Sequence, residues 1–320
     1  MSRGAGDAMT DAYILAFGAY LPERVVGNLQ LAERLGCTPD WIVELSGIEE
    51  RRYAEAGQSV ACLAAAAGKR CLDRAGATAA RLDMILVASG SGERRFPGPA
   101  VEVAAKLGAP GIPALDLPMA SAGGLAAMAL AADLLGRYPS ILVIAAEKMS
   151  AVVTQDAVEK GTAMLFGDGA GACLLGTRPG PLRILDSALH SDGAYSEDLR
   201  LEFGGGLVMN GRSIILQASR KLPAVILELL DRNSLRPQDV SAFLLHQANQ
   251  NLMDRVARAL GMDARRFPSN IRRYGNTSSA SLLIAASEWW DAERPSPGAR
   301  VCFAAFGAGV HWGAALCEVV

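Results

Sequence analysis

The sequence predicts an α/β protein made of two copies of one structural unit, and three observations carry that prediction. Strand-like apolar runs alternate with Ala-rich helical stretches, the pattern of sheets covered on both faces. The order of these elements in residues 1–177 returns in residues 178–320, with the join near "TRPGPLR". Each half also closes on a similar glycine-rich stretch that reads as a hairpin, "FGDGAGACLLG" at 166–176 and "FGAGVHWGAAL" at 306–316.

In chain order, "YILAFGAYLP" is the first strand. "QSVACLAAAAGKRCLDRAG" is a helix stopped by glycine, "LDMILVASG" a buried strand, and "AVEVAAKLG" a second helix with the same stop. "IPALDL" then runs into a bend at Ser121, a helix over 122–136 and the strand "SILVIAAE". In the second half, "VSAFLLHQA" is a buried strand and "QNLMDRVARALG" a helix with a Leu-Gly stop. "GNTSSASLLIAASEWW" is a polar bend entering a helix, and "ARVCFAAFG" a strand. Ser121 and Asn276 therefore occupy equivalent bends. If the halves pack about a pseudo-twofold axis, the bends converge near His246, which ends its own strand.

The 320 residues, 51% of them apolar, suffice for a large core and roughly two domains. Lys and Arg total 31 against 33 Asp and Glu, so no positive excess points to nucleic acid. No run reaches the ~18 apolar residues of a membrane span and no apolar leader segment precedes the first strand, so a soluble, cytoplasmic protein is expected. The six cysteines show no CxxC pair or metal-ligand spacing and read as reduced, mostly buried thiols.

Three residues could carry chemistry. Ser121 reads as a nucleophile favoured by a helix N-terminus, or as a small N-cap. His246, where "LLHQAN" turns from apolar to polar, is a base or oxyanion donor, or a satisfied core histidine. Asn276 in "YGNTSS" is a turn residue, or an amide donor to an oxyanion. His190 and His311 have weaker claims.

"DLPMASAGG", "HQAN", "GNTSSAS", "LFGDGAGA", "HSDGAY", "DWIVELSGIEERR" and "FGAGVHWGAAL", spread over nearly the whole chain, together resemble β-ketoacyl-acyl carrier protein synthase III of the thiolase superfamily. The resemblance implies a thiolase-like fold, two duplicated α/β halves layered α-β-α-β-α, and a homodimer. It implies acyl transfer without a cofactor. A cysteine in the first bend takes an acyl group from acyl-CoA; a His and an Asn help decarboxylate malonyl-acyl carrier protein, and the carbanion attacks the acyl-enzyme. His246 and Asn276 fall on that His and Asn, and Ser121 falls on the cysteine. The oxyanion hole maps onto the backbone N–H groups of Ser121 and Ala308.

The same resemblance assigns Trp41 to the CoA adenine, Lys160 to a phosphate-region arginine, and Asn249 to the pocket asparagine. Phe96 falls on a loop phenylalanine that crosses the dimer interface into the partner's acyl pocket. Leu45 and Asn251 stand where arginines are expected, which favours a CoA-like thioester over a carrier protein. Arg94 and Arg95 beside Phe96 read as a solvated loop charge pair, or as the place where an arginine, here or nearby, accepts an acyl chain ending in a carboxylate.

Serine changes the chemistry. A thiol has a pKa near ~8.5 and is readily made thiolate, whereas a serine hydroxyl must lose its proton to a base during attack. Acylation is therefore expected to be altered or disabled. An O- or N-acyltransferase and a non-catalytic thioester-binding subunit are the alternatives. A Ser/His/Asp hydrolase is disfavoured, because "MASAG" lacks the G-x-S-x-G elbow and no acid is placed to orient His246.

Overall fold

The computed structural model describes residues 11–154, 158–202 and 204–320. The stretch searched for a leader lies mostly in residues 1–10, outside the described residues. The first half holds β1 (Ala12–Tyr20), a small ribbon of β2 (Arg24–Gly27) and β3 (Glu50–Tyr53), then β4 (Met84–Ala88), β5 (Ala114–Leu117), β6 (Ser140–Lys148) and β7 (Asp168–Gly176). The second half holds β8 (Leu182–Ser191), a ribbon of β9 (Leu199–Leu201) and β10 (Leu207–Met209), then β11 (Ala242–Leu245), β12 (Arg300–Gly307) and β13 (His311–Val319).

Strand order repeats between the halves. The first runs β5-β4-β6-β7-β1 and the second β11-β12-β13-β8. In both, a parallel pair (β4/β6, β11/β12) is followed by two antiparallel pairings. Three residue pairs between β1 and β8, from Ala12↔Ile184 to Ile14↔Leu182, join the half-sheets into one nine-stranded sheet.

Side-chain alternation explains the layers. In β4, Met84, Leu86 and Ala88 join a central cluster while Ile85 and Val87 face the helices Val60–Ala75 and Pro99–Leu107. In β12, Val301, Phe303 and Ala305 join the same central cluster, and Cys302, Ala304 and Phe306 face outward. That central cluster also contains the helices Gly123–Leu134 and Ser281–Glu293, which start at the two equivalent bends. The order is thus α-β-α-β-α. Both central helices are buried nearly all round, so they read as apolar rather than amphipathic. Their small residues set the spacing: a Cβ on Gly124 would lie 2.6 Å from the Ser279 carbonyl oxygen.

Helix ends follow their sequence signals. Ser59 accepts from the Cys62 amide at 3.2 Å to start Val60–Ala75, and Gly76 ends it at φ 59°.

Two expectations change. Residues 166–176 are not a hairpin: β7 is one strand antiparallel to β6, and of the two glycine-rich stretches it is 306–316 that turns tightly, between β12 and β13. The helix Gly211–Arg232, the longest described, has no counterpart in the sequence reading. Pro223 in its middle is a nominal breaker, yet Leu222, Val225, Ile226, Leu229 and Leu230 keep a buried helical stripe across it.

Candidate active site

Ser121 sits between β5 and the central helix with φ 56°, a left-handed conformation that costs a non-glycine residue on the order of 1 kcal/mol or more. Ala122 is the N-cap of that helix, with no side-chain cap, so Ser121 is not the capping serine of the blander reading. The bend is pinned from the other half. The Ser121 amide donates to Ser278 Oγ at 3.0 Å, and the terminal turn presses on it: a Cβ on Gly307 would lie 2.5 Å from the Ala120 oxygen and 2.7 Å from the Ala122 nitrogen.

Two cavities meet at this residue. The first, about 650 Å³ with its open mouth, carries Ser121, His246, Asn276 and Asn249 among apolar walls that include Phe166, Ile214 and Leu252. The second also reaches Ser121 and is lined by Met119, Met149, Leu201, Leu207 and Ala308. Ser121, Phe166 and Leu199 belong to both.

His246 continues β11, its amide bonding the Ala304 carbonyl at 2.9 Å, and is 6% exposed. Burial depresses its pKa to about 4, so the ring is neutral. Its Nδ1 lies 2.5 Å from Ser281 Oγ, which also accepts from the Gln247 amide at 3.0 Å. The hydroxyl then has its own proton to give to Nδ1. When the hydroxyl donates to Nδ1, the ring proton sits on Nε2, and this is the tautomer the functional reading uses.

Asn276 is both a turn residue and a cavity residue. Its Oδ1 accepts from the Ser278 amide at 2.8 Å, and its backbone is clamped to the first half by Asn276 N to Leu165 O at 2.9 Å and Gly167 N to Asn276 O at 3.0 Å. With the carboxamide oxygen fixed, Nδ2 is left with only a long 3.4 Å contact to the Ala248 carbonyl. The cavity therefore holds a buried hydroxyl beside two neutral side chains carrying N–H donors. This set suits a developing oxygen anion and lacks the acid of a hydrolase triad.

The other expected residues divide. Ala308 lines the second cavity with Ser121, but the Ser121 amide is already engaged by Ser278, so the expected pair of oxyanion donors is half occupied. Trp41 and Lys160 lie together outside both cavities, with Nζ 5.6 Å from the indole ring. Asn249 lines the first cavity and caps the helix Gln250–Ala259 through the Leu252 amide. It also donates to the Leu45 carbonyl at 2.8 Å, and Asn251 donates to Glu44 and Leu45. The two asparagines thereby hang the Trp41 helix, Pro39–Ser46, beside the cavity. Phe96 is 86% exposed and lines neither cavity of its own chain. Arg94 and Arg95 are also outside both; the arginine at the second cavity is Arg200, paired with Glu197 and Glu202.

Sequence reasoning missed Ser278, Ser281 and Glu147. Glu147 is fully buried and pushed up by desolvation; its signal was a carboxylate closing the apolar run "SILVIAAE". Other motif residues hold the frame. Asp168 binds the Ala54 and Ser150 amides, and Arg51 binds the carbonyls of Val26 and Met164. The Cys71 and Cys302 thiols, pushed up to about 12 by burial, are unreactive by the same physics.

A duplicated α-β-α-β-α frame with a left-handed bend at Ser121 and His246 and Asn276 brought to it from the opposite half is that of a thiolase-fold acyltransferase. Residues 115–193 match the family model 3-oxoacyl-[acyl-carrier-protein (ACP)] synthase III, and residues 230–319 match its C-terminal model. The chain belongs to the β-ketoacyl-[acyl-carrier-protein] synthase III family. It is 36% identical to the enzyme of that name from Oleidesulfovibrio alaskensis over 96% of this chain and 98% of the relative. The crystal structure of the Aquifex aeolicus 3-oxoacyl-[acyl-carrier-protein] synthase III superposes with a TM-score of 0.92 at 33% identity, covering 96% of this chain and 99% of that one. The Pseudomonas aeruginosa synthase gives 0.90 at 30% identity over 97% and 99%.

Proposed function

We propose that this chain binds an acyl-CoA thioester in the first cavity, with its acyl group in the second, and condenses that group with a malonyl thioester in fatty acid biosynthesis. The observation that carries the reading is that Ser121, His246 and Asn276, drawn from both halves, line one mostly apolar cavity. His246 Nε2–H and Asn276 Nδ2–H would stabilise the enolate oxygen as malonyl thioester loses CO₂. The carbanion would then attack the acyl carbonyl held at residue 121.

Ser121 lowers the acylation step in this scheme. A His246 whose Nε2 carries the proton is a donor and cannot take the proton of the serine hydroxyl, so oxygen attack lacks its base while a thiolate would need none. With the Ser121 amide engaged by Ser278, the backbone N–H of Ala308 would be the remaining donor to an oxyanion. No cofactor is needed beyond the substrate thioester. Trp41 and Lys160 would bind the CoA nucleotide end. With Asn251 turned onto backbone carbonyls, CoA is favoured over an acyl carrier protein as donor.

The exposed Phe96, near the exposed edge strand β5, supports a homodimer in which that ring reaches the partner. Six free cysteines fit a reducing, cytoplasmic location, and among the described residues no helix is long and apolar enough to cross a membrane. Incubation with a panel of acyl-CoAs and malonyl thioesters tests the scheme. A β-ketoacyl product, faster with Ser121→Cys, is expected; esters or amides as the only products, or none from either protein, would overturn it.

A further inference from the structure

We propose that Glu147 is a positioning residue that holds the bends of Ser121 and Asn276 in register across the two halves, acting through Ser278. Its catalytic consequence rests on the functional reading above; its structural consequence does not.

Glu147 is completely buried at the end of β6, and its hydrogen-bond partners are hydroxyls and backbone amides rather than a cation. Ser89 Oγ at 3.3 Å, the Gly90 amide at 3.1 Å and Ser91 Oγ at 2.5 Å reach it from the segment after β4. Ser278 Oγ at 3.1 Å and the Ser279 amide at 3.3 Å reach it from the second half. Five donors converge on the two oxygens of one carboxyl group.

The relay runs onward in both directions from Ser278. Its hydroxyl gives its proton to Glu147 and so turns a lone pair to the Ser121 amide, 3.0 Å away. Its own amide donates to Asn276 Oδ1 at 2.8 Å. One carboxylate is therefore two hydrogen bonds from the nucleophile backbone and two from the carboxamide. Ser121 at φ 56° and Ser278 at φ 48° are two of four described non-glycine residues with positive φ, and they are bonded to each other. Such conformations persist only where the surroundings over-determine them. A neutral, isosteric Gln cannot substitute, because one of its two positions would turn N–H donors onto donors. A strand end needing only stability would carry an apolar residue, since an unpaired buried carboxylate is costly.

Hydrogen exchange by mass spectrometry on the full chain, with Glu147→Gln and Ser278→Ala, tests this. In Glu147→Gln, exchange should rise at least tenfold in peptides covering both 118–125 and 274–282, while β12, β13 and the helix Gly211–Arg232 keep wild-type rates. Ser278→Ala should loosen the same two bends even if Glu147→Gln fails to fold. In turnover assays both variants should lose at least tenfold in kcat with KM within twofold. Unchanged exchange at either bend in Ser278→Ala, loosening spread evenly over the chain, or unaltered kcat in an active background would overturn the proposal. A wild type inert to every thioester would overturn the functional reading instead, leaving the exchange data to judge this one.

Discussion

His246 Nδ1 and Ser281 Oγ lie 2.5 Å apart, and the same oxygen accepts from the Gln247 amide. A serine at the start of a central helix therefore does for this histidine what a carboxylate does in a triad, with the opposite outcome. Donating to Nδ1, it keeps the proton on Nε2, while burial keeps the ring uncharged.

Ser281→Ala should free the ring to adopt either tautomer. The cavity is buried and alanine fits, so the fold should stand. Decarboxylation of malonyl thioester should fall about 5- to 150-fold, the scale of one to three kcal/mol for a lost buried hydrogen bond. A rate within twofold of wild type would show that Ser281 does not set the ring.

The depressed pKa of His246 has a signed consequence for stability. Its folded value is about 4 against 6.5 in the unfolded chain, so the unfolded state binds the extra proton as pH falls. The contribution is fully present above about pH 6.5 and is lost progressively toward pH 4, with a slope of up to ~1.4 kcal/mol per pH unit. Urea midpoints at pH 7 and 5 should fall further in wild type than in His246→Gln, where this component is absent. Equal falls would contradict neutral burial. Activity should show no histidine limb between pH 6 and 8.

Gly307→Ala places a Cβ within 2.5 Å of the Ala120 carbonyl oxygen, an atom of backbone that cannot swing away. The terminal turn must move off the Ser121 bend, at a cost of about 1–3 kcal/mol. A drop in melting temperature together with lost acylation is expected; unchanged values of both would mean the turn does not press on the bend.

Trp41→Ala should raise KM for acyl-CoA several-fold and leave KM for a truncated acyl-pantetheine thioester unchanged. Asn249→Ala should do the same and cost about 1 kcal/mol of stability, because it removes a helix cap as well as the tie to Leu45. Equal effects on both thioesters would remove these residues from the nucleotide end.

The halves and their bends were legible because both carry strong local signals: continuous apolar strands, glycine stops and small-residue bends. Leu86 and Val87 pointing to opposite layers follows from alternation alone. Sequence also brought Ser121, Asn276 and His246 together, on the condition that the two halves pack about a pseudo-twofold axis, and the three line one cavity. Ser281 and Glu147 were not legible. Their roles come from donors supplied by distant segments, and a serine in a polar bend or a glutamate closing a strand has no local pattern to mark it. The helix Gly211–Arg232 escaped because Pro223 masks its stripe, and residues 166–176 were misjudged because two glycine-rich stretches share composition but not connectivity.

Everything turns on residue 121 receiving an acyl group from a thioester bound in the first cavity. Intact-protein mass spectrometry after incubation with acyl-CoAs reads this directly. Ser121→Cys should gain the mass of one acyl group for at least one chain length, and the wild type should load more slowly with the same preference. No added mass on either protein with any acyl-CoA would contradict the account.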